Sequence, residues 1–126
     1  HALSPLFYRN ANTGIVVFDL TDQESADRAK SWAEELIRER GSEIDILFAA
    51  NKSDLADKRI LTQELCNALS DKYKSPIFDV SARTGEGIND LFLSAAKMFL
   101  EKSNLQQNTT QKTKLKNGEK PDKKCC

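Results

Sequence analysis

Several features are scarce in this chain, and each scarcity excludes a class of protein. Among 126 residues there are three cysteines, one histidine and one tryptophan. Only Cys66 precedes the two terminal cysteines, so no disulfide framework can form within the body, a pattern typical of cytosolic proteins. No apolar run approaches the roughly 18 residues of a membrane-spanning helix, and the first residues lack a signal-peptide pattern. We therefore expect any membrane contact to come through the C-terminal tail.

An overall excess of charge is also missing, but the charges are unevenly distributed. Nineteen basic residues balance nineteen acidic ones, whereas residues 104–126 hold six lysines against Glu119 and Asp122. The tail therefore carries +4 and residues 1–103 carry −4. An acidic body argues against nucleic-acid binding, and a basic tail favours an anionic membrane surface. We predict one domain over residues 1–103 and a disordered tail over 104–126, where too few apolar residues remain to form a core.

Short apolar runs alternate with amphipathic stretches in the body. The runs at 14–20, 44–50 and 76–80 are predicted strands, and helices are predicted at 1–9, 23–40, 61–72 and 88–100. The β-α-β-α-β-α order predicts an α/β fold of three layers, a parallel sheet with helices on both faces. Thr21 or Asp22 is expected to cap the second helix, and Gly41 to end it. The core-facing residues expected on the last helix are Leu91, Phe92, Ala95, Phe99 and Leu100.

A polar motif, NKSDL at residues 51–55, follows the second predicted strand. Guanine presents its N1–H and exocyclic N2–H2 in the same direction, and one ionised carboxylate such as Asp54 can accept both. Adenine has no matching donor pair, and a site that pairs polar edges rejects a base lacking them by roughly 10⁴ or more. The simpler alternative is an Asn-Asp turn that closes a strand without binding anything.

A second polar loop, Ser81-Ala82-Arg83, follows the next predicted strand. Neighbouring strand ends lie about 5 Å apart, and ligands of open α/β sheets bind at the carboxyl ends of strands. We therefore expect the Ala82 N–H to donate to guanine O6 while Asp54 holds the opposite donors. The stems of Lys52 and Arg83 are expected to cover the two faces of the base. Ser-Ala-Arg alone is more often only a loop.

With both motifs in this order, residues 1–102 closely resemble the C-terminal part of a Rab-type small GTPase of the Ras superfamily. NKSD resembles the NKxD guanine motif, and Ser81-Ala82-Arg83 resembles SAK with arginine in place of lysine. The run LSPLFYRNANTGIVVFDLTDQES is similar to the Rab segment from the second switch helix to the third helix, and TD-x-x-S and HAL-x-P resemble the endocytic branch. The resemblance implies a P-loop GTPase fold and a GTP/GDP switch in vesicle and membrane trafficking. The base-binding residues it implies are Asn51, Lys52, Asp54, Ser81, Ala82 and Arg83.

The resemblance also implies lipid attachment and partners. Cys125 and Cys126 resemble the double-cysteine ending that is geranylgeranylated in Rabs, and two prenyl chains give stable anchoring. The implied location is the cytoplasmic face of intracellular membranes, with endosomal membranes favoured by the endocytic-type features, and the cytosol after extraction. Phe7 takes an aromatic effector-binding position at which tyrosine is usual. Implied partners are Rab escort protein, geranylgeranyl transferase, GDP dissociation inhibitor, an exchange factor, a GTPase-activating protein and effectors. An incidental redox-active or metal-scavenging ending is the alternative for the two cysteines.

The motif that holds phosphates is missing from these residues. No G-x-x-x-x-G-K-[ST] run occurs, and we interpret Gly85 and Gly87 as turn residues. We therefore expect a truncated GTPase sequence with base recognition only, no catalytic residue and no metal ligand; Mg²⁺ is expected only in the full-length parent. Two alternatives stay open: a nucleotide-free module that binds Rab escort or effector proteins, and a separate chain that supplies the phosphate half. The strand at 14–20 should expose an apolar edge that aggregates or seeks a partner.

Overall fold

Three parallel strands form the centre of the molecule. The computed structural model describes the backbone of residues 5–117 and the side chains of residues 6–108. Its strands are β1 (Thr13–Asp19), β2 (Asp45–Asn51) and β3 (Ile77–Asp79). Their order is β1-β2-β3, and β2 pairs in parallel with both neighbours. All three predicted strands are confirmed with ends displaced by one residue, because continuous apolar runs of this length favour strands covered on both faces.

Three helices accompany the strands: α1 (Gln23–Arg40), α2 (Gln63–Tyr73) and α3 (Ile88–Asn117). The Asp22 carboxylate accepts the Glu24 N–H at 3.0 Å, and the Thr62 hydroxyl accepts the Leu65 N–H at 3.3 Å. Both side chains satisfy N–H groups that a first helical turn leaves unpaired. α1 ends at Gly41, as predicted, where the backbone has a φ of 57°.

The helices cover both faces of the sheet and complete the predicted three layers. On one face α1 and α2 pack over the even-numbered residues of β1 and β2, and the buried cluster includes Val16, Phe18, Ala29, Phe48, Cys66 and Leu69. On the other face α3 packs over a smaller cluster of Leu47, Ala49, Val80 and Leu91. Trp32 is partly buried and packs against the first cluster. The α/β fold class is therefore confirmed.

The N-terminal helix expected over residues 1–9 is not formed as predicted. Within the described residues this segment has a single 3₁₀ turn, Pro5–Phe7. Proline lacks an N–H and disfavours helical backbone in the residue before it, so a helix cannot extend through Pro5 from the N-terminal side. Residues 1–4 lie outside the described part of the chain.

α3 is longer than expected. It was predicted to end at Leu100 and continues to Asn117, so helical backbone covers 104–117, part of the tail predicted to be disordered. Lysine, glutamine and leucine are good helix formers, and the first glycine of the tail is Gly118. Residues 118–126 lie outside the described residues. Neither α3 nor any other helix in the described part is both long and apolar enough to cross a bilayer.

The core-facing side of α3 also differs from the prediction. Leu91 is buried and Ala95 is partly buried as expected, but Phe92, Phe99 and Leu100 are exposed. Ile88 and Met98 pack against the core in their place. Two apolar stripes run along this helix at similar spacing, and periodicity alone cannot decide which of them the sheet covers.

Candidate functional site

The two predicted loops meet at the carboxyl ends of β2 and β3. The Ser53 N–H donates to the Val80 carbonyl at 3.0 Å, and the Ala82 N–H donates to Asn51 Oδ1 at 3.0 Å. Asn51 is the last residue of β2, so its side chain bridges to the residue after Ser81 in the neighbouring loop. Two hydrogen bonds, one from each loop, therefore hold the loops together.

Asp54 and Ser81 form the centre of this junction. Ser81 is fully buried, and its hydroxyl donates to Asp54 Oδ1 at 2.8 Å while accepting the Thr84 N–H at 3.1 Å. Because an N–H can only donate, the hydroxyl hydrogen must point towards Asp54. Asp54 is half-buried, and a carboxylate has about four acceptor positions. The bond from Ser81 therefore orients Asp54 and leaves it able to accept two further donors.

A tight turn over residues 81–87 fixes the position of Ser81 next to Asp54. The Ser81 N–H donates to the Glu86 carbonyl at 2.9 Å, and the Gly85 N–H donates to the Ser81 carbonyl at 2.8 Å. Gly85 and Gly87 have φ angles of 87° and 74°, in the left-handed region that favours glycine. A Cβ on Gly87 would lie 2.4 Å from the Asp79 carbonyl oxygen. Both glycines therefore have the turn role expected of them.

Lys52 extends towards β1. Its backbone has a φ of 68°, and its Nζ lies 2.8 Å from Asp19 Oδ2 at the carboxyl end of β1. Burial acts to raise the pKa of Asp19, but hydrogen bonds from Lys52 and Thr21 outweigh it and lower the pKa. The hydrogen bond to Asp19 and its negative charge raise the pKa of Lys52. Both shifts favour the charged pair. This pair connects the Asn51–Asp54 loop to the carboxyl end of β1.

Asp19 is the site residue that sequence reasoning missed. It was treated only as part of a strand, although it ends β1 at the same edge of the sheet as Asn51 ends β2. An acidic residue at the C-terminal end of a predicted buried strand is the sequence signal for it, whereas its pairing with Lys52 depends on β1 lying beside β2. Thr21 donates to Asp19 Oδ1 through its N–H at 2.8 Å and its hydroxyl at 2.7 Å, so Asp19 is held in place.

Four predicted site residues come together: Asn51, Asp54, Ser81 and Ala82 share the hydrogen-bonded junction. Two groups take contacts other than those predicted. The Ala82 N–H, expected to be free for guanine O6, is bonded to Asn51, and the Lys52 ammonium is paired with Asp19. Each group lies next to a stronger local partner than water, which the sequence pattern did not show.

The remaining predicted residues lie outside this junction. Arg83 is exposed and forms no ion pair among the described residues. Phe7 is 76% exposed on its 3₁₀ turn. The predicted lipid acceptors, Cys125 and Cys126, lie outside the described residues.

The polar groups gathered in this region are one carboxylate from each of two strand ends, amide and hydroxyl groups and a lysine. Among the described side chains, residues 6–108, no group of three or more His, Cys, Asp or Glu is placed to hold a metal ion. Comparison with protein families gives a match over residues 1–101 to the model described as the Ras family. The match includes both loops, all three strands and α3 as far as Glu101.

Proposed function

The chain belongs to the Ras family of small GTPases, and from this premise we propose that it is the base-reading part of a Rab-type GTP/GDP switch. Family membership makes it a guanine-nucleotide-binding module, whose general partners are exchange factors, GTPase-activating proteins and effectors. The observation that carries the proposed assignment of residues is the 2.8 Å hydrogen bond from Ser81 to Asp54. It holds a half-buried carboxylate at the carboxyl ends of two parallel strands, where ligands of such sheets bind.

In the proposed complex, Asp54 accepts the N1–H and N2–H2 donors of guanine. The Ala82 N–H donates to O6, which requires it to be shared with Asn51 or released from it. Lys52 is held by Asp19 beside the same loop, where its aliphatic stem can cover one face of the base. The exposed Arg83 side chain is free to cover the other face. All six residues of the predicted set, Asn51, Lys52, Asp54, Ser81, Ala82 and Arg83, have a role in this arrangement.

The residues of this chain are assigned to the base alone. No G-x-x-x-x-G-K-[ST] run occurs in the sequence, so neither the phosphates nor Mg²⁺ are assigned to a side chain here. When bound, the nucleotide supplies a hydrolysable γ-phosphate, the chemistry on which a GTPase switch depends. No described residue is assigned a catalytic role.

Base selection can be tested without phosphates. Saturation-transfer NMR with guanosine, adenosine and xanthosine should show guanosine contact at an affinity on the order of millimolar, because only base contacts contribute. Asp54→Asn should reduce guanosine contact and favour xanthosine, whose C2 carbonyl can accept from the new amide. Asp57→Asn, the same change three residues along in the exposed Ala56–Lys58 turn, is the matched control. Equal contact by guanosine and adenosine would reject Asp54 as the base reader.

Calorimetry with GDP and Mg²⁺ tests the limit of the proposal. The 126-residue chain should give negligible GDP binding by calorimetry, because no phosphate contacts are assigned to it and base contacts alone give only the affinity on the order of millimolar expected for guanosine. Submicromolar binding would show that residues of this chain hold the phosphates as well. Two results together would favour the nucleotide-free interaction module. The chain would unfold cooperatively, and Asp54→Asn would leave its binding to escort protein unchanged.

The trafficking role and the membrane anchor are further parts of the proposal. They are supported by the Rab-like run before α1, by the basic tail and by the terminal Cys125 and Cys126. We propose attachment to the cytoplasmic face of intracellular membranes, with endosomes favoured by the endocytic-type features. The specific partners proposed are Rab escort protein, geranylgeranyl transferase and GDP dissociation inhibitor, with effectors contacting the exposed Phe7.

Cell fractionation tests the anchor. Changing both terminal cysteines to serine should move the protein from membranes to the cytosol. Cys66→Ala, which removes the buried body cysteine, should leave the protein on membranes. Retention of the double-serine variant on membranes would contradict lipid attachment at these two positions.

A further inference from the structure

A cavity lies between α1 and α2, on the face of the sheet opposite α3. Its volume is about 160 Å³, and its walls come from β1, α1, α2 and the residue Leu61 just before α2. The lining residues Ala26 and Lys30 are four positions apart on α1, and Leu65 and Leu69 are four apart on α2. Residues at this spacing share a helix face, so each helix turns one face towards the cavity.

Small side chains create this space. Ala26 of α1 and Ala68 of α2 line the cavity from different helices, while Phe18, Cys66 and Leu69 are buried in its walls. Protein interiors are normally packed without voids of this size, and a larger side chain at either alanine would occupy part of the volume. The cavity is therefore apolar room that the side chains of the two helices do not fill.

The charged residues of the described lining are both lysines, at the rim. The side chains of Lys30 and Lys72 are 44% and 60% exposed and come from different helices. Lys30 pairs with Asp27 at 3.6 Å and Lys72 pairs with Glu34 at 3.5 Å, and neither carboxylate belongs to the lining. Exposed ion pairs contribute little to stability, so a ligand carboxylate can compete for the same ammonium groups. A cationic rim therefore surrounds an apolar interior.

We propose that this cavity binds a short alkyl carboxylate, with the alkyl chain between α1 and α2 and the carboxylate at Lys30 and Lys72. An engineered cavity of about 150 Å³ with apolar walls in another protein binds benzene. A chain of about six carbons, the number in benzene, therefore suits this volume. An apolar side chain of a partner protein would fit the same space, but it would bring no charge to the two lysines. The ammonium groups therefore favour a ligand that ends in a carboxylate.

Titration of the isotope-labelled full chain with sodium hexanoate, followed by amide chemical shifts, tests the site. The amides of Ala26, Leu65 and Leu69 should shift, with an affinity on the order of millimolar. Butanoate should bind roughly tenfold more weakly, since each buried methylene contributes about three- to fourfold. Octanoate should gain much less over hexanoate, because the cavity is already filled. No shift of these amides, or an equal gain from hexanoate to octanoate, would overturn the proposal.

Three ligands with the same chain separate the chain from the charge. Hexanoate should bind roughly fivefold more tightly than hexanol, and hexylammonium should bind most weakly. Lys30→Met together with Lys72→Met should remove the advantage of hexanoate and leave hexanol binding unchanged. Lys97→Met, at an exposed site on α3, is the control and should change neither. Equal binding of hexanoate and hexanol to wild type would assign the cavity to a neutral apolar group and overturn the proposal.

Ala68→Phe tests the position of the ligand. Ala68 is exposed at the rim, so the added ring should occupy the cavity without disturbing the core and weaken hexanoate binding tenfold or more. Ala96→Phe, at an exposed site on α3, should leave binding unchanged. Guanosine should not displace hexanoate, because no lining residue belongs to the loops at 51–55 and 81–87. Unchanged hexanoate binding in Ala68→Phe, or displacement by guanosine, would place the ligand elsewhere and overturn the proposal.

Discussion

Backbone groups are hydrogen-bonded between the loops at the carboxyl end of the sheet, whereas at the outer edge of β1 they are unpaired among the described strands. At the carboxyl end, Asn51, Ser53 and Ser81 all take part in hydrogen bonds between or within the two loops. At the outer edge, three alternate residues present N–H and C=O groups without a partner among the described strands. The first region is organised to position one carboxylate, Asp54. In the second, Thr13, Ile15 and Val17 direct their backbone groups away from β2.

The two regions differ in what satisfies their backbone groups. Polar side chains at strand ends satisfy the backbone of the loops and fix their shape, which is what a selective site requires. Along the edge of β1 the alternate backbone groups lie side by side, and among the described residues only those of Asp19 are satisfied locally. Ser25 marks the boundary, since its hydroxyl accepts the Asp19 N–H where the edge reaches the site.

The largest effect is expected from Gly87→Ala in the loop behind Asp54. The new Cβ would lie 2.4 Å from the Asp79 carbonyl oxygen, a backbone atom that cannot move aside. We expect a loss of about 3 kcal/mol or more in the free energy of unfolding. Gly85→Ala, with a similar φ but no atom within 4 Å, should cost only about 1 kcal/mol. Urea denaturation of both variants measures the difference, and equal losses would show that packing against Asp79 is unimportant.

A smaller effect is expected from Ser81→Ala at the same loop junction. The change removes the donor to Asp54 and the acceptor for the Thr84 N–H in a fully buried position, and should cost about 2 kcal/mol. The matched control is Ser53→Ala, since Ser53 Oγ is buried without a hydrogen-bond partner among the described residues. That variant should lie within about 0.5 kcal/mol of wild type or be more stable. Thermal denaturation showing equal losses would contradict the role of the Ser81 hydroxyl.

The boundary between the two regions can be weakened with Ser25→Ala. This change leaves the Asp19 N–H without its acceptor and should cost about 1 kcal/mol, less than Ser81→Ala because water can reach Asp19. Ser31→Ala, at an exposed site on the same helix, should change stability by less than about 0.5 kcal/mol. Hydrogen exchange at the Asp19 amide should accelerate in Ser25→Ala alone. An unchanged exchange rate would mean that Ser25 does not close the edge.

The smallest effect is expected from Lys52→Met, which removes the partner of Asp19. The folded-state pKa of Asp19 lies below its unfolded value of about 3.9. The stabilisation is therefore present above that value and is lost as pH falls through the folded-state pKa. Wild type should exceed Lys52→Met in stability at pH 7, by a margin that shrinks below about pH 4. Lys97→Met, at an exposed site on α3, should show no such pH dependence in denaturant titrations. A stability difference between the two proteins that does not change with pH would show that Lys52 does not stabilise the charged form of Asp19.

Much of the candidate site could be predicted from sequence because its parts are local. The buried runs before Asn51 and Ser81 identify strand ends, and the parallel α/β pattern places both loops at one edge of the sheet. The Lys52–Asp19 pair could not be predicted in this way, since it depends on β1 lying beside β2 in register. The bond from Ala82 to Asn51 likewise depends on the distance between two loops that are 31 residues apart.

Helix faces show the same division. On α1 the side that faces β1 can be recognised from sequence, because the buried residues Ala26, Ala29 and Ala33 lie at helical spacing. On α3 two apolar stripes compete, and the three-stranded sheet covers only the one containing Leu91 and Ala95. The composition of residues 104–126 excludes a core, but a helix can continue without one, and α3 extends past Leu100 among residues such as lysine, glutamine and leucine that favour helix.

The sequence by itself determined the element order, the family resemblance, the helix caps and the two polar loops, because each depends on residues close together along the chain. Only the tertiary structure decided that Ser81 orients Asp54, that Asp19 holds Lys52 and that Thr13, Ile15 and Val17 form an open edge. These relations depend on strand order and register. Residues distant in sequence become neighbours through them, and hydrogen-bonding direction alternates along each strand.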